Sequence, residues 1–167
     1  MKSLSEAAFL DRLETHRGIP RKVAGAYCRN RADREDCVQE IVAQLWRSYP
    51  RYDAEKPFST WAWRIAVNVA ISFYRKGRDA FERTVLSESA ALEAVPAAAD
   101  EPDAMLERLY ALVARLDEFD RALVVLYLDD RPQTEIADVL GITVTNVSTK
   151  LGRIKARMKQ WSEHGPR

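Results

Sequence analysis

Apolar residues recur along this chain at spacings of three and four, the signature of helices that each bury one face. Strand-like alternation persists nowhere, so the pattern predicts an all-α protein. Four helices are expected over residues 4–15, 20–30, 33–49 and 59–77, and four more over 104–115, 118–129, 133–140 and 144–161. Between the two sets, AFERTVLSESAALEAVPAAADEPD (80–103) is rich in Ala and acid, holds two prolines and shows weak periodicity, which reads as a flexible linker. The expected organisation is an amino-terminal lobe over 1–79, the linker over 80–103, a carboxy-terminal lobe over 104–161 and a tail over 162–167.

The stretch WAWRIAVNVAISFYRK (61–76) is the most informative part of the first lobe, with Ser59 or Thr60 as the expected N-cap. At about 100° per residue, Ala62, Ile65, Ala66, Val69, Ala70 and Phe73 make one broad apolar face, which Trp63, Val67, Ile71 and Tyr74 extend. Arg64, Asn68, Ser72 and Arg75 remain as a narrow polar stripe with Trp61 on its border. Aromatics at helical spacing usually pack, so Trp63, Phe73 and Tyr74 read as core. The stripe admits two readings. It is an ordinary solvated face, or a row of donors beside a stacking ring, as single-stranded nucleic acid requires.

In the preceding helix, DREDCVQEIVAQLWRSY, Val38, Ile41, Val42, Leu45 and Tyr49 share one face, while Asp33, Asp36, Cys37, Glu40 and Gln44 lie opposite. An acidic face of this kind is either solvated or docks on a basic protein surface. The loop PRYDAEKPF between the two helices is turn-prone, with Pro50 and Pro57 bracketing Tyr52, Asp53 and Lys56.

The second lobe contains TEIADVLGITVTNVSTKLGRIKARMK, in which Ala137, Gly141 and Val147 have helix-turn-helix spacing. Ala lets two helices cross closely, Gly permits a left-handed turn, and Val closes the corner. In the second helix of the pair Val144, Val147, Leu151, Ile154 and Met158 are expected to point inward. Thr145, Thr149 and Arg153 point away, flanked by Asn146, Lys150 and Arg157. Short polar groups followed by basic ones suit a helix that enters the DNA major groove; the bland alternative is a plain amphipathic helix.

Composition narrows the field further. A chain of 167 residues with 47% hydrophobic content can bury a substantial core, and 31% charged residues keep it soluble. The net charge is only +1, but it is unevenly placed. Residues 1–79 carry 15 Lys and Arg against 10 Asp and Glu, and residues 80–103 carry one Arg against six acids. Basic patches within a neutral total fit directed nucleic-acid contact better than general polyanion binding. Cys28 and Cys37 form no CxxC pair, and His16 and His164 lie far from both, so neither a zinc nor a redox site is expected. No apolar run has the length of a signal peptide or a membrane span, which predicts a cytoplasmic protein with reduced thiols. There is no phosphate-cradling Gly loop, no HxE with CxxC and no nucleophile–base pairing, so neither an enzyme nor a small-molecule substrate is expected. No cofactor or metal is expected.

Taken together, DREDCVQEIVAQLW…PFSTWAWRIAVNVAISFYRK and LDEFDRALVVLYLDDRPQTEIADVLGITVTNVSTKLGRIKARM resemble regions two and four of bacterial extracytoplasmic-function sigma factors, the minimal members of the sigma-seventy class. The resemblance covers residues 5–79 and 104–160 and omits only linker and tail. It implies a protein that binds the RNA polymerase core and directs it to particular promoters. Asp36, Gln39 and Glu40 match the positions that dock on the clamp helices of the largest polymerase subunit, with Trp46 packing behind them. Trp61, Arg64 and Asn68, with the loop from Tyr52 to Lys56, match the part that melts and reads the minus-ten element and cradles a flipped base. Arg75, Lys76 and Arg78 follow the strand backbone. Thr145, Asn146, Ser148, Thr149, Lys150 and Arg153 match the positions that read the minus-thirty-five duplex.

The resemblance also implies an anti-sigma protein as a further partner. The chain departs from the family pattern at Arg34, where Ala is frequent, at Leu116-Asp117, where Leu-Pro is usual, at Gly152 inside the second helix of the motif, and at Ile154-Lys155. A stand-alone helix-turn-helix repressor or activator, with the first lobe serving dimerisation or ligand binding, is the alternative function.

Overall fold

The computed structural model describes residues 5–87 and 104–164, with side chains as far as Arg83 in the first stretch. Among these residues the elements are α1 (Glu6–Thr15), α2 (Gly18–Tyr27), α3 (Arg31–Ser48), a 3₁₀ turn (Tyr49–Arg51), α4 (Phe58–Ser87), α5 (Ala104–Val113), α6 (Glu118–Leu128), α7 (Gln133–Leu140) and α8 (Val144–His164). The all-α expectation holds.

Local chemistry sets several starts. Ser5 accepts from the Ala8 N–H, Asn30 from Asp33 and Asp117 from Asp120, each satisfying a helix donor that would otherwise be orphaned. Asp117 thus performs as an N-cap where the family pattern has Pro. α4 begins differently from its expected cap: Phe58 opens it directly after Pro57, and Ser59 and Thr60 lie inside the first turn. It also runs past residue 77 to Ser87. Gly77 costs a helix interior only about 1 kcal/mol, too little to end one already under way, and RDAFERTVL holds no proline or other helix stop. Residues 80–87 therefore continue α4 instead of belonging to a linker, and residues 162–164 of the expected tail continue α8; the rest of the expected linker, 88–103, and of the tail, 165–167, lies outside the described residues.

α2, α3 and α4 pack on one another around Trp63, Tyr49, Ile41 and Leu45, all nearly inaccessible. Phe73 and Tyr74 rest half-buried on this core. Cys37 does not share the acidic face of α3. It is fully buried, in line with Ile41 and Leu45 at successive turns, and its thiol interacts with that of Cys28 at the end of α2. That interaction and burial push the Cys28 thiol up, while the same interaction holds Cys37 down. The two cysteines are neighbours in space, a pairing their sequence spacing does not announce.

In the second half α6, α7 and α8 enclose Leu123, Leu126, Ile136, Val147 and Ile154. Gly141 takes a left-handed conformation with φ of 68°, and its N–H and that of Ile142 both reach the Ala137 carbonyl. Ala137 and Val147 are buried, as the helix-turn-helix spacing requires. Val144 departs from expectation: at the mouth of the turn it is 43% exposed, one turn short of the packed face.

The two halves do not stand apart. α2 packs on α6 and α5, α4 packs on α7, and the buried residues of both halves join in one cluster. Gly25 permits the closest approach, since a Cβ there would lie 2.9 Å from the Tyr110 ring. Arg121, 6% exposed, stands at the junction. It donates to the carbonyls of Leu116 (2.9 Å) and Ala114 (2.7 Å) just past the end of α5, and reaches the Ala26 carbonyl and the Tyr74 hydroxyl across the junction at 3.5 and 3.4 Å. Its guanidinium also lies 4.6 Å from the Tyr74 ring centre.

Candidate nucleic-acid interface

α4 and the loop before it build the first part of the site. The 3₁₀ turn sends the chain away from α3, and Tyr52 folds back beneath the loop, donating its hydroxyl to the Lys56 carbonyl at 2.5 Å. Tyr52 is 5% exposed, so it shapes the loop from within; Lys56 is the exposed member of the pair. The loop also carries an Asx turn, the Asp53 carboxylate accepting from the Glu55 N–H at 3.0 Å. Trp61 is half-buried in an aromatic nest with Tyr52 (4.9 Å between ring centres), Phe58 (5.3 Å) and Tyr49 (6.3 Å). Its ring is held in place by packing, which fixes any surface it offers.

Along α4 the stripe emerges as its periodicity requires: Arg64, Asn68, Ser72 and Arg75 are all exposed on a helix whose other faces are packed, and Lys76 and Arg78 follow on the surface. Beside the stripe, α3 and α4 form a groove of about 810 Å³. Ile65, Val69 and Phe73 supply its apolar lining, with Asn68 and Lys76 on the α4 wall and Glu40 and Gln44 on the α3 wall. The structure thus brings a residue expected to meet polymerase and two expected to meet DNA to one groove. Asp36, Gln39 and Glu40 are exposed on α3. Trp46 does not pack behind them: it is 46% exposed, with its ring 5.0 Å from Phe9.

α8 carries the second part. The Thr143 hydroxyl accepts from the Asn146 N–H at 3.1 Å, satisfying a donor of the first turn, and Val147, Leu151 and Ile154 seat the helix. Thr145, Asn146, Ser148, Thr149 and Arg153 then project from the exposed face. Lys150 is the exception, half-buried 3.9 Å from the Asp120 carboxylate, where Arg157 also reaches 3.9 Å. Burial and the neighbouring Asp117 nonetheless raise the Asp120 carboxyl above its ordinary range, outweighing both cations.

Between the halves, residues assigned to the minus-ten strand meet acids that sequence reasoning left unassigned. Arg64 donates to the Asp138 carbonyl at 3.0 Å and lies 3.2 Å from its carboxylate. Thr60 donates to Glu135 at 2.9 Å, and Arg75 and Arg78 reach Glu118 at 2.6 and 3.5 Å. Lys22 pairs with Asp129, and the Tyr27 hydroxyl donates to the Glu118 carbonyl. Burial drives the Tyr27 phenol up. Burial would raise Asp129 as well, but Lys22 and Arg131 prevail and hold it below the usual carboxylate range. Each of these acids lies far along the chain from its partner in the other half, so no local signal in the sequence marks the pairs.

Among the described residues no group of three or more His, Cys, Asp and Glu is placed to hold a metal, and no helix is long and apolar enough to cross a membrane.

Known proteins align with both halves. The family model Sigma-70 region 2 matches residues 13–80, and Sigma-70, region 4 matches residues 106–158. The RNA polymerase sigma factor CnrH of Cupriavidus metallidurans is 30% identical over 136 residues, covering 75% of this chain and 71% of CnrH. The ECF RNA polymerase sigma factor SigW of Bacillus subtilis is 23% identical over 171 residues, covering 96% of this chain and 91% of SigW. Among solved structures, CnrH in complex with the cytosolic domain of CnrY shares the fold with a TM-score of 0.72 at 23% identity, covering 97% of this chain and 92% of that one. The sigma factor RpoE in complex with the anti-sigma factor NepR from Bartonella quintana shares it with a TM-score of 0.74 at 17% identity, covering 95% and 99%. With both regions matched in order and CnrH related over most of its length, this chain belongs to the ECF RNA polymerase sigma factors of the sigma-70 class.

Proposed function

We propose that this sigma factor, which acts in promoter-directed transcription initiation, divides its work between residues 1–79, which bind polymerase core and the minus-ten element, and residues 104–161, which bind the minus-thirty-five element. The observation that carries the reading is the stripe: on a helix otherwise packed on both sides, Arg64, Asn68, Ser72 and Arg75 remain at the surface beside the braced ring of Trp61. Phosphate contacts from Arg75, Lys76 and Arg78 supply salt-dependent affinity, and Asn68 and Arg64 supply discrimination at unstacked bases. Opening a duplex is unfavourable, so capture of an unstacked base against Trp61 stabilises the melted state. Lys56 closes the loop side of that site, with Tyr52 supporting it from below.

Asp36, Gln39 and Glu40 dock on the clamp helices of the polymerase's largest subunit. Thr145, Asn146, Ser148, Thr149 and Arg153 read base edges in the major groove, and Lys150 joins them once it leaves Asp120. The chain itself performs no catalytic step. An anti-sigma protein is its expected regulator, as CnrY and NepR are found with CnrH and RpoE.

Asn68→Ala gives the clean test, because Asn68 is exposed and its loss leaves the core intact. The variant is expected to co-elute with core polymerase on gel filtration yet form few open complexes on a promoter selected by the wild-type holoenzyme. Normal open-complex formation would sink the stripe assignment, and a wild-type protein that fails to co-elute with core would favour a stand-alone regulator.

A further inference from the structure

We infer that the carboxy-terminal half acts as an internal stand-in for promoter DNA, its carboxylates occupying the cations and donors of the α4 edge until promoter strand displaces them. This rests on the proposed role of that edge. Three acids make the contacts, one from the start of α6 and two from α7. Glu118 takes Arg75 and Arg78, Glu135 takes the Thr60 hydroxyl, and Asp138 takes Arg64 through both its carboxylate and its carbonyl. Three of the basic residues assigned to the minus-ten strand are thereby held by oxygen acceptors from the other half of the same chain. A carboxylate presents a guanidinium with the geometry of a phosphate edge, so one set of donors serves either acceptor but not both at once.

The seam is built to be exchanged. Arg64 and Asp138 keep 48% and 64% of their side-chain surface exposed, and Arg75 and Arg78 keep 61% and 50%, while Glu118, the acid they share, keeps 17%. The Arg64–Asp138 pair is weak and salt-screened, and the cations that meet Glu118 stay open on their outer side, so a strand carrying many phosphates can take them. Registry comes from elsewhere: the Gly25–Tyr110 approach and the Arg121 bridge to Ala26 and Tyr74 fix which acid faces which base. Asn68 accepts no such partner and stays open, which leaves a toehold from which an incoming strand can peel the seam.

The test compares the full-length protein with the triple variant Glu118→Gln, Glu135→Gln, Asp138→Asn. A charge-matched control, Glu6→Gln, Asp11→Asn, Glu14→Gln, alters only α1. The probe is a fluorescein-labelled 20-nucleotide single-stranded oligodeoxynucleotide of random sequence, read by anisotropy. Neutralising the seam is expected to tighten binding about fivefold or more relative to the control, since competition for the donors is removed. Adding Arg64→Ala and Arg75→Ala to the triple variant is expected to abolish that gain. Equal affinity of triple variant and control overturns the proposal, as does a gain that survives loss of both arginines. Failure of the stripe as a promoter contact would show separately, as normal open-complex formation by Asn68→Ala holoenzyme.

Discussion

Arg121→Ala puts the junction between the halves to a quantitative test. Arg121 is a buried cation with no carboxylate among its hydrogen-bond partners; the Leu116 and Ala114 carbonyls, at 2.9 and 2.7 Å, are its main acceptors. These carbonyls fall where α5 has run out of its own donors, so the guanidinium caps that helix end and meets the negative pole of its dipole. Truncation leaves two buried acceptors unpaired, at about 1–3 kcal/mol each. Losing the stack on Tyr74 adds roughly 1 kcal/mol. Against this stands the cost of burying a cation, which the variant no longer bears and which recovers on the order of 1–2 kcal/mol once relaxation is counted.

The net expectation is a loss of about 3 kcal/mol, or roughly 6–12 °C in melting temperature for a chain of this length. Urea unfolding followed by circular dichroism measures it. Arg121→Lys should recover only part, because an ammonium cannot present the fork that meets two carbonyls together. A loss below about 1 kcal/mol in the alanine variant, or full rescue by lysine, would refute the capping account.

Three further outcomes follow from the geometry. Gln39→Ala with Glu40→Ala should weaken co-elution with core polymerase by about tenfold or more while leaving the circular dichroism spectrum and melting temperature unchanged, since both side chains are exposed. Gly141→Ala should cost about 1 kcal/mol by denaturant unfolding, because φ of 68° strains any side chain although space is open there. Asp120 has a raised carboxyl, so its stabilising contribution belongs to the protonated form: it is present below the usual carboxylate range and lost as pH rises through the raised value. Asp120→Asn should therefore be at least as stable as the wild type at pH 7, with the difference closing as pH falls towards 4, read from paired thermal melts.

How much was legible in the sequence depended on how local each cause was. The α4 stripe and the α8 face follow from periodicity alone, because a packed helix forces its leftover polar positions into a line. The helix-turn-helix was legible for a similar reason: Gly141 and its flanking Ala137 and Val147 meet steric requirements a few residues apart. The extension of α4 to Ser87 was missed because composition around residues 80–87 suggested a linker, while nothing in it can stop a helix already under way. Tyr52 was read as part of the base-cradling loop and is buried beneath it, since a loop's aromatic is placed by whichever cluster it can reach. Cys37 was assigned to the wrong side of α3, although it stands four and eight residues before Ile41 and Leu45 and so belongs to the same buried stripe.

What the sequence determined by itself is therefore most of the helices, their buried faces and the polar residues left over on the α4 stripe and the α8 face, all consequences of spacing along one chain. Only the tertiary structure decided that Arg64, Arg75 and Arg78 of one half face Asp138 and Glu118 of the other, and that Cys28 meets Cys37. Contacts of that kind join residues far apart in sequence through exposed charge or shared burial. Neither leaves a periodic trace, so they exist only once the two halves are packed.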